Sequence, residues 1–211
     1  MPDAHAPNPP PRVLVRMAYP VVALLEGVMA PAECAQLIEL ARPRLRPSTI
    51  VDPVTGEDRV ASHRSSEGMF FGPGESAFIA ALDARLCAIM RAPVENGEGL
   101  AVVRYTRDAQ CAPHFDFLVP GNEANRASLA RSGQRVATLI VYLNDVASGG
   151  DTYFPETGVA VAPRAGHGLY FEYDNGRGEL DARSAHGGAP VAAGEKWIVT
   201  KWVRERRFVP A

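Results

Sequence analysis

His114 and Asp116 stand two residues apart in Ala112–Phe117, Ala-Pro-His-Phe-Asp-Phe, where the sequence predicts an extended segment. A strand repeats every two residues with a rise of about 3.3 Å, so both side chains would leave one face about 6.6 Å apart. They could then converge on one ion. A neutral imidazole and a carboxylate suit a divalent first-row metal, and a second histidine would complete a facial set of three ligands that leaves other coordination positions open. The pair alone is weak evidence, because His-x-Asp is common by chance.

Five histidines compete for the remaining places: His5, His63, His114, His167 and His186. His5 lies near the start of the chain, and His63 and His167 read equally well as surface or hydrogen-bonded side chains. His186 differs, because Ser184-Ala185-His186-Gly187-Gly188 lets backbone approach closely and stands just before Gly194-Glu195-Lys196-Trp197. Lys196 and Lys201 are the only lysines in the sequence. If Trp197–Val203 is a strand, then Lys196, Ile198, Thr200 and Trp202 share one face and Lys201 points to the other, one lysine inward and one outward. An inward ammonium requires an anion, such as the distal carboxylate of a bound acid. The competing reading is a lysine that snorkels to solvent.

The elements that must position these residues change character along the chain. Pro31, Glu33 and the stripe Cys34, Leu37, Ile38 and Ala41 predict one helix, and Phe78, Ile79, Leu82, Leu86, Ile89 and Met90 a second, ended by Pro93. Between them, Arg44 to Gly74 is polar and rich in turn residues. Beyond Gly97 the pattern turns to strands, at Leu100–Tyr105, Pro113–Leu118, Val136–Leu143, Gly158–Ala162, Gly168–Tyr173 and Trp197–Val203, after a short extended run at Val13–Met17. Gly121–Gln134 reads as a polar loop with a short helical piece and Asp174–Ser184 as a second loop. This order predicts an α+β, mainly β domain: a double-sheet barrel such as the jelly roll, with helices packed on one side.

A length of 211 residues suits one domain, with residues 1–11 expected to be a disordered tail. The net charge of −2 gives no basic field for nucleic acid and no polybasic patch for a membrane. Val21–Ala30 is too short and too interrupted to span a bilayer. Cys34, Cys87 and Cys111 form neither a close pair nor a metal-ligand spacing, which fits a reducing, cytoplasmic setting. A zinc hydrolase is disfavoured, since no His-Glu-x-x-His helix is present.

Taken together, Glu95-Asn96-Gly97-Glu98, Arg104-Tyr105, His114-Phe115-Asp116, Arg135-Val136-Ala137-Thr138, Tyr142-Leu143-Asn144-Asp145-Val146, Gly149-Gly150-Asp151-Thr152, His186-Gly187-Gly188 and Gly194-Glu195-Lys196-Trp197 resemble the prolyl 4-hydroxylase branch of the Fe(II)/2-oxoglutarate dioxygenases. The similarity also touches Pro31-Ala32-Glu33-Cys34 and Arg64-Ser65-Ser66, so it covers most of the chain. It implies a jelly roll, with residues 12–97 as helical support and 98–205 as the catalytic core. By the same resemblance, His114, Asp116 and His186 hold Fe(II), and Lys196 takes the distal carboxylate of 2-oxoglutarate with help from the hydroxyls of Tyr105 and Thr152. O₂ is the oxidant, ascorbate a candidate reductant for the iron, and succinate and CO₂ the coproducts. The aspartate at 116 favours hydroxylation over halogenation, because related halogenases carry a small residue there.

The implied substrate is proline in a peptide or protein, hydroxylated at C4, and Arg64, Ser66, Glu98, Cys111, Arg135 and Trp202 fall at substrate-binding positions. Asp108 and Cys111 depart from the family pattern, which commonly has glycine and tyrosine there, so a free cyclic amino acid stands as the alternative substrate. A metal-binding module without activity is the remote alternative. A monomer or a homodimer is expected.

Overall fold

A computed structural model describes residues 10–51, 58–60 and 66–210, with the side chains of 49–51 and 58–60 left out of account. The expected tail falls largely outside these residues, as do His5, His63 and Arg64. In chain order the first elements are strands β1 (Arg12–Met17) and β2 (Val22–Glu26), helix α1 (Pro31–Ala41), strands β3 (Arg46–Pro47), β4 (Thr49–Val51), β5 (Asp58–Val60) and β6 (Ser66–Phe71), and helix α2 (Ala77–Ile89). Strands β7 (Gly97–Tyr105) and β8 (Cys111–His114), helix α3 (Glu123–Ser132) and strand β9 (Arg135–Tyr142) follow. The last part holds β10 (Ser148–Gly149), β11 (Thr152–Phe154), β12 (Val159–Val161), β13 (Gly168–Glu172), β14 (His186–Gly188), β15 (Val191–Ala193) and β16 (Lys196–Arg204).

An eight-stranded sheet in the order β1-β2-β13-β9-β16-β7-β6-β3 faces a four-stranded sheet in the order β12-β11-β14-β8. All pairings are antiparallel, and the two sheets form the expected jelly roll. Because side chains alternate along a strand, the large sheet supports two cores. Ile198, Val103, Tyr105, Ile140, Tyr142 and Phe171 fill the space between the sheets. Trp197, Val199, Val203, Leu100 and Leu139 point the other way, against Leu37 of α1 and Leu82 and Leu86 of α2.

The helices begin where local chemistry allows. Glu33 accepts the Ala30 N–H at 2.8 Å, satisfying a donor that the first turn of α1 leaves open, and Ser76 accepts the Ile79 N–H at the start of α2. Arg85 of α2 then donates twice to the Glu33 carboxylate, at 2.9 Å each, and ties the two helices together.

Four expectations change. The stretch expected to be turn-rich, Arg44 to Gly74, contains β3 and β6, both members of the large sheet, and the described part of the shorter pair β4 and β5. The N-terminal part is therefore not only helical support. Gly121–Gln134 carries a ten-residue helix, α3, capped by Asn122 and stopped at Gly133, where φ is 73°. Arg204 donates to the carbonyls of Ser128 and Gly133, which pins that helix to the barrel. The strand expected over Pro113–Leu118 ends at His114. Lys201 does not face solvent: it is fully buried, because the face opposite the intersheet core is covered by α2, whose Asp83 stands 2.8 Å from the ammonium.

Candidate metal and cosubstrate site

His114 closes β8 and His186 opens β14, and the antiparallel register makes these two residues direct partners. Their rings lie 4.5 Å apart between centroids. Gly187 keeps the strands this close, since a Cβ there would sit 2.9 Å from the Cys111 carbonyl oxygen. Asp116 comes from the bend after β8 rather than from the strand itself. Turning out of the strand brings its Oδ1 to 3.5 Å from His114 Nε2 and its Oδ2 to 3.6 Å from His186 Nε2.

Backbone carbonyls fix both imidazoles. His114 Nδ1 is 3.0 Å from the Ala112 oxygen and His186 Nδ1 is 3.1 Å from the Ser184 oxygen. A carbonyl can only accept, so each Nδ1 carries a proton and each Nε2 is the nitrogen turned toward Asp116. Two ligand atoms about 2.1 Å from one ion can lie at most about 4.2 Å apart, and both histidine–carboxylate spacings fall inside that limit. The three side chains each offer a donor atom within 4.8 Å of the others, so small side-chain rotations suffice to bring all three onto one divalent ion.

Charge follows the same arrangement. Burial works against the Asp116 anion, but His186, His114 and Arg135 outweigh it and hold the carboxyl well below its usual range. Burial lowers the His186 pKa, keeping that ring neutral as a ligand must be, whereas at His114 burial is outweighed by the Asp116 carboxylate and the pKa rises to about 10, so that ring is protonated until a metal replaces its Nε2 proton.

The cavity beside the triad has Tyr105, Cys111, Thr152, Lys196 and Trp202 in its wall. Lys196 is 2% exposed and donates to the Gly150 carbonyl at 2.7 Å and the Thr152 hydroxyl at 3.4 Å. Gly150, with φ of 75°, turns that carbonyl inward. The Lys196 ammonium also lies over the rings of Tyr105 and Tyr142, at 5.5 and 5.6 Å from their centroids. Among the described residues no carboxylate pairs with it, and burial pulls its pKa down to about 8 against a weaker opposing effect of Asp151.

Other expected residues stand apart from the cavity wall. Glu98 is buried and bound by Arg135, at 2.7 and 2.8 Å, and by Arg204 at 3.0 Å. Ser66 lies in β6 and bonds to the Ser48 hydroxyl. Arg135 sits behind the wall, its guanidinium 4.1 Å from the Trp202 ring centroid and donating to the Asp116 carbonyl at 3.0 Å. Tyr142, whose hydroxyl donates to Thr152 at 2.9 Å, and Thr138, which donates to Asp116 at 2.7 Å, complete the site without having been singled out by sequence. Period-two alternation in Arg135–Tyr142 was the available signal, because it aligns Thr138 and Tyr142 with Ile140 on one face.

The chain is similar to proteins of known family. The family model of the 2OG-Fe(II) oxygenase superfamily matches residues 100–204, the span that contains the triad and Lys196. The chain is 38% identical to prolyl 4-hydroxylase 1 of Arabidopsis thaliana over 202 residues, covering 89% of this chain and 70% of that protein. Among solved structures it resembles the viral collagen prolyl hydroxylase of Paramecium Bursaria Chlorella virus-1 in complex with 2OG, with a TM-score of 0.67, 26% identity and coverage of 87% of this chain and 95% of that one. A Pseudomonas putida prolyl-4-hydroxylase, at 20% identity and a TM-score of 0.61 over 89% of this chain and 94% of that one, shares the fold.

Proposed function

The chain belongs to the prolyl 4-hydroxylase family of the 2OG-Fe(II) oxygenases, and from that membership we propose that it hydroxylates C4 of proline in a peptide or protein. When bound, Fe(II) and 2-oxoglutarate supply oxidative decarboxylation and the transfer of one oxygen atom of O₂ into a C–H bond, with succinate and CO₂ as coproducts. His114, Asp116 and His186 hold the iron. Asp116 is already ionised and His186 neutral, whereas His114, its pKa raised to about 10 beside Asp116, would release its Nε2 proton as the metal binds.

The observation that carries the reading is Lys196. A buried ammonium that, among the described residues, has a carbonyl and a hydroxyl but no carboxylate for partners is incomplete until an anion arrives, and it lines the same cavity as the triad. A dicarboxylic keto acid would fit, with its distal carboxylate held by Lys196 and its other end toward the iron that His114, Asp116 and His186 would hold. Thr152 bridges Lys196 and the Tyr142 hydroxyl, so the ammonium is held in place before the ligand enters. Tyr105 contributes its ring face beside the ammonium and its hydroxyl as a further donor. Trp202, backed by Arg135, and Cys111 form the wall available to substrate, while Ser66 and Glu98 act on substrate only through the elements they hold.

In this reading residues 12–211 work as one domain. No described helix is long and apolar enough to cross a membrane, and the described cysteines form no disulfide, which is consistent with a cytoplasmic setting; ascorbate or another reductant would keep the iron reduced. The direct test is incubation with proline-rich peptides, Fe(II), 2-oxoglutarate and O₂, followed by mass spectrometry. One added oxygen on proline is expected. Turnover on free proline or another cyclic amino acid with none on any peptide would overturn the peptide assignment.

A further inference from the structure

Thr138 is fully buried on the cavity-facing side of β9 and touches two oxygens. Its hydroxyl lies 2.7 Å from Asp116 Oδ2 and is also hydrogen-bonded to the Tyr173 hydroxyl, itself 1% exposed. Proton accounting fixes the direction of both bonds. An ionised carboxylate can only accept, so the single Thr138 proton goes to Asp116, and Tyr173 must then be the donor to Thr138. The order is Tyr173 to Thr138 to Asp116.

Tyr173 is held where this relay needs it. Its ring packs against Phe171 and Phe117 at centroid distances of 6.0 and 5.9 Å, and its N–H bonds to the Val136 carbonyl. Phe171 in turn lies 4.6 Å from the His186 ring, so one aromatic group supports both a ligand and the relay that acts on its neighbour. Arg135 holds the other end of Asp116 through the backbone carbonyl, leaving carboxylate rotation as the freedom that Thr138 removes.

Resting on the reading of Asp116 as a ligand, we propose that Thr138 and Tyr173 are positioning residues that commit Oδ2 to a hydrogen bond. Oδ1, the oxygen nearest His114 Nε2, would then be the one offered to a metal, and Oδ2, although 3.6 Å from His186 Nε2, would be kept from chelating it, which would leave room for 2-oxoglutarate and O₂. Neither residue touches the reacting atoms. Their effect is on how the carboxylate presents itself.

Thr138→Val keeps the side-chain shape and removes the donor, Thr138→Ser restores the hydroxyl, and Tyr173→Phe removes one phenolic oxygen. The readouts are Co(II) affinity of the metal-free protein and, without O₂, the visible charge-transfer band that develops when 2-oxoglutarate chelates bound Fe(II). Thr138→Val should lose about 10- to 100-fold in Co(II) affinity and need about tenfold more 2-oxoglutarate to develop the band, while Thr138→Ser stays within about threefold on both. Tyr173→Phe should fall between them. A purely structural role would lower the unfolding temperature of the metal-free protein and leave both readouts where they were.

Unchanged Co(II) affinity and an unchanged band in Thr138→Val overturn the proposal, provided His186→Ala abolishes Co(II) binding in parallel. Retained Co(II) affinity in His186→Ala overturns the ligand assignment instead, and the relay with it. Should Thr138→Val not fold, Tyr173→Phe decides: the unmodified protein's affinity and band in that variant overturn the relay.

Discussion

Strand β16 carries two buried lysines on opposite faces, and they differ in where the neutralising charge comes from. Lys201 faces the helices, where Asp83 of α2 pairs with it at 2.8 Å and the Glu98 carbonyl accepts a further bond. Lys196 faces the second sheet, where it finds a carbonyl, a hydroxyl and two aromatic faces but, among the described residues, no carboxylate within ion-pair range. An uncompensated buried charge costs several kcal/mol, so the first lysine belongs to the architecture and the second, under the proposed function, awaits the carboxylate of a ligand. Burial alone does not separate the two roles; the partner does.

The comparison depends first on the triad beside Lys196. His114→Ala or His186→Ala should abolish Fe(II)-dependent decarboxylation of 2-oxoglutarate, measured as succinate formed, while leaving the Lys201 side of the sheet intact. Full activity in either variant removes the reason for a cosubstrate next to Lys196.

On the architectural face, Asp83→Ala strands the Lys201 ammonium and should destabilise the protein by about 3–5 kcal/mol. For a chain of this size that lowers the unfolding midpoint by roughly 6–20 °C, read by calorimetry, with the Michaelis constant for 2-oxoglutarate little changed at a temperature where the variant is folded. On the ligand face, Lys196→Met should do the reverse. It removes a charge that the metal-free, ligand-free protein does not neutralise, so stability should hold or rise, while affinity for 2-oxoglutarate falls by about 2–4 kcal/mol, roughly 30- to 1,000-fold.

A smaller effect follows from protonation. The Lys196 pKa of about 8 lies below the ordinary value of about 10.4, so between those two pH values the unfolded chain holds a proton that the folded protein lacks. The stability cost of Lys196 is therefore full below about pH 8 and is relieved as pH rises toward about 10.4. A bound carboxylate requires the ammonium, so affinity for 2-oxoglutarate should be level below about pH 8 and fall toward tenfold per pH unit above it. Titrations at pH 7, 8 and 9 would show this slope, and Lys196→Met should lack it.

Sequence patterning located most of this, because the strands that build the site are regular. The alternation of Lys196, Ile198, Thr200 and Trp202 against Lys201 holds in the structure, as do the strand positions at Leu100–Tyr105 and Gly168–Tyr173. What patterning missed lies in tertiary partners and in irregular backbone. Asp116 reaches the site by leaving the strand after His114, and no local propensity distinguishes that bend from a continued strand. The outward assignment of Lys201 failed because Asp83, 118 residues away, reads in sequence as an ordinary polar helix position. Thr138 and Tyr173 escaped notice for a similar reason. A hydroxyl in an apolar strand carries no sign of which carboxylate it will meet, although its alignment with Ile140 and Tyr142 does say which face it takes.

The most direct test is calorimetric titration of 2-oxoglutarate, without O₂, into the metal-loaded Lys196→Met and Lys201→Met proteins under conditions where both are folded. The account predicts that binding collapses in Lys196→Met and stays within about threefold of the unmodified protein in Lys201→Met. Equal losses in the two variants, or unimpaired binding in Lys196→Met, would contradict it.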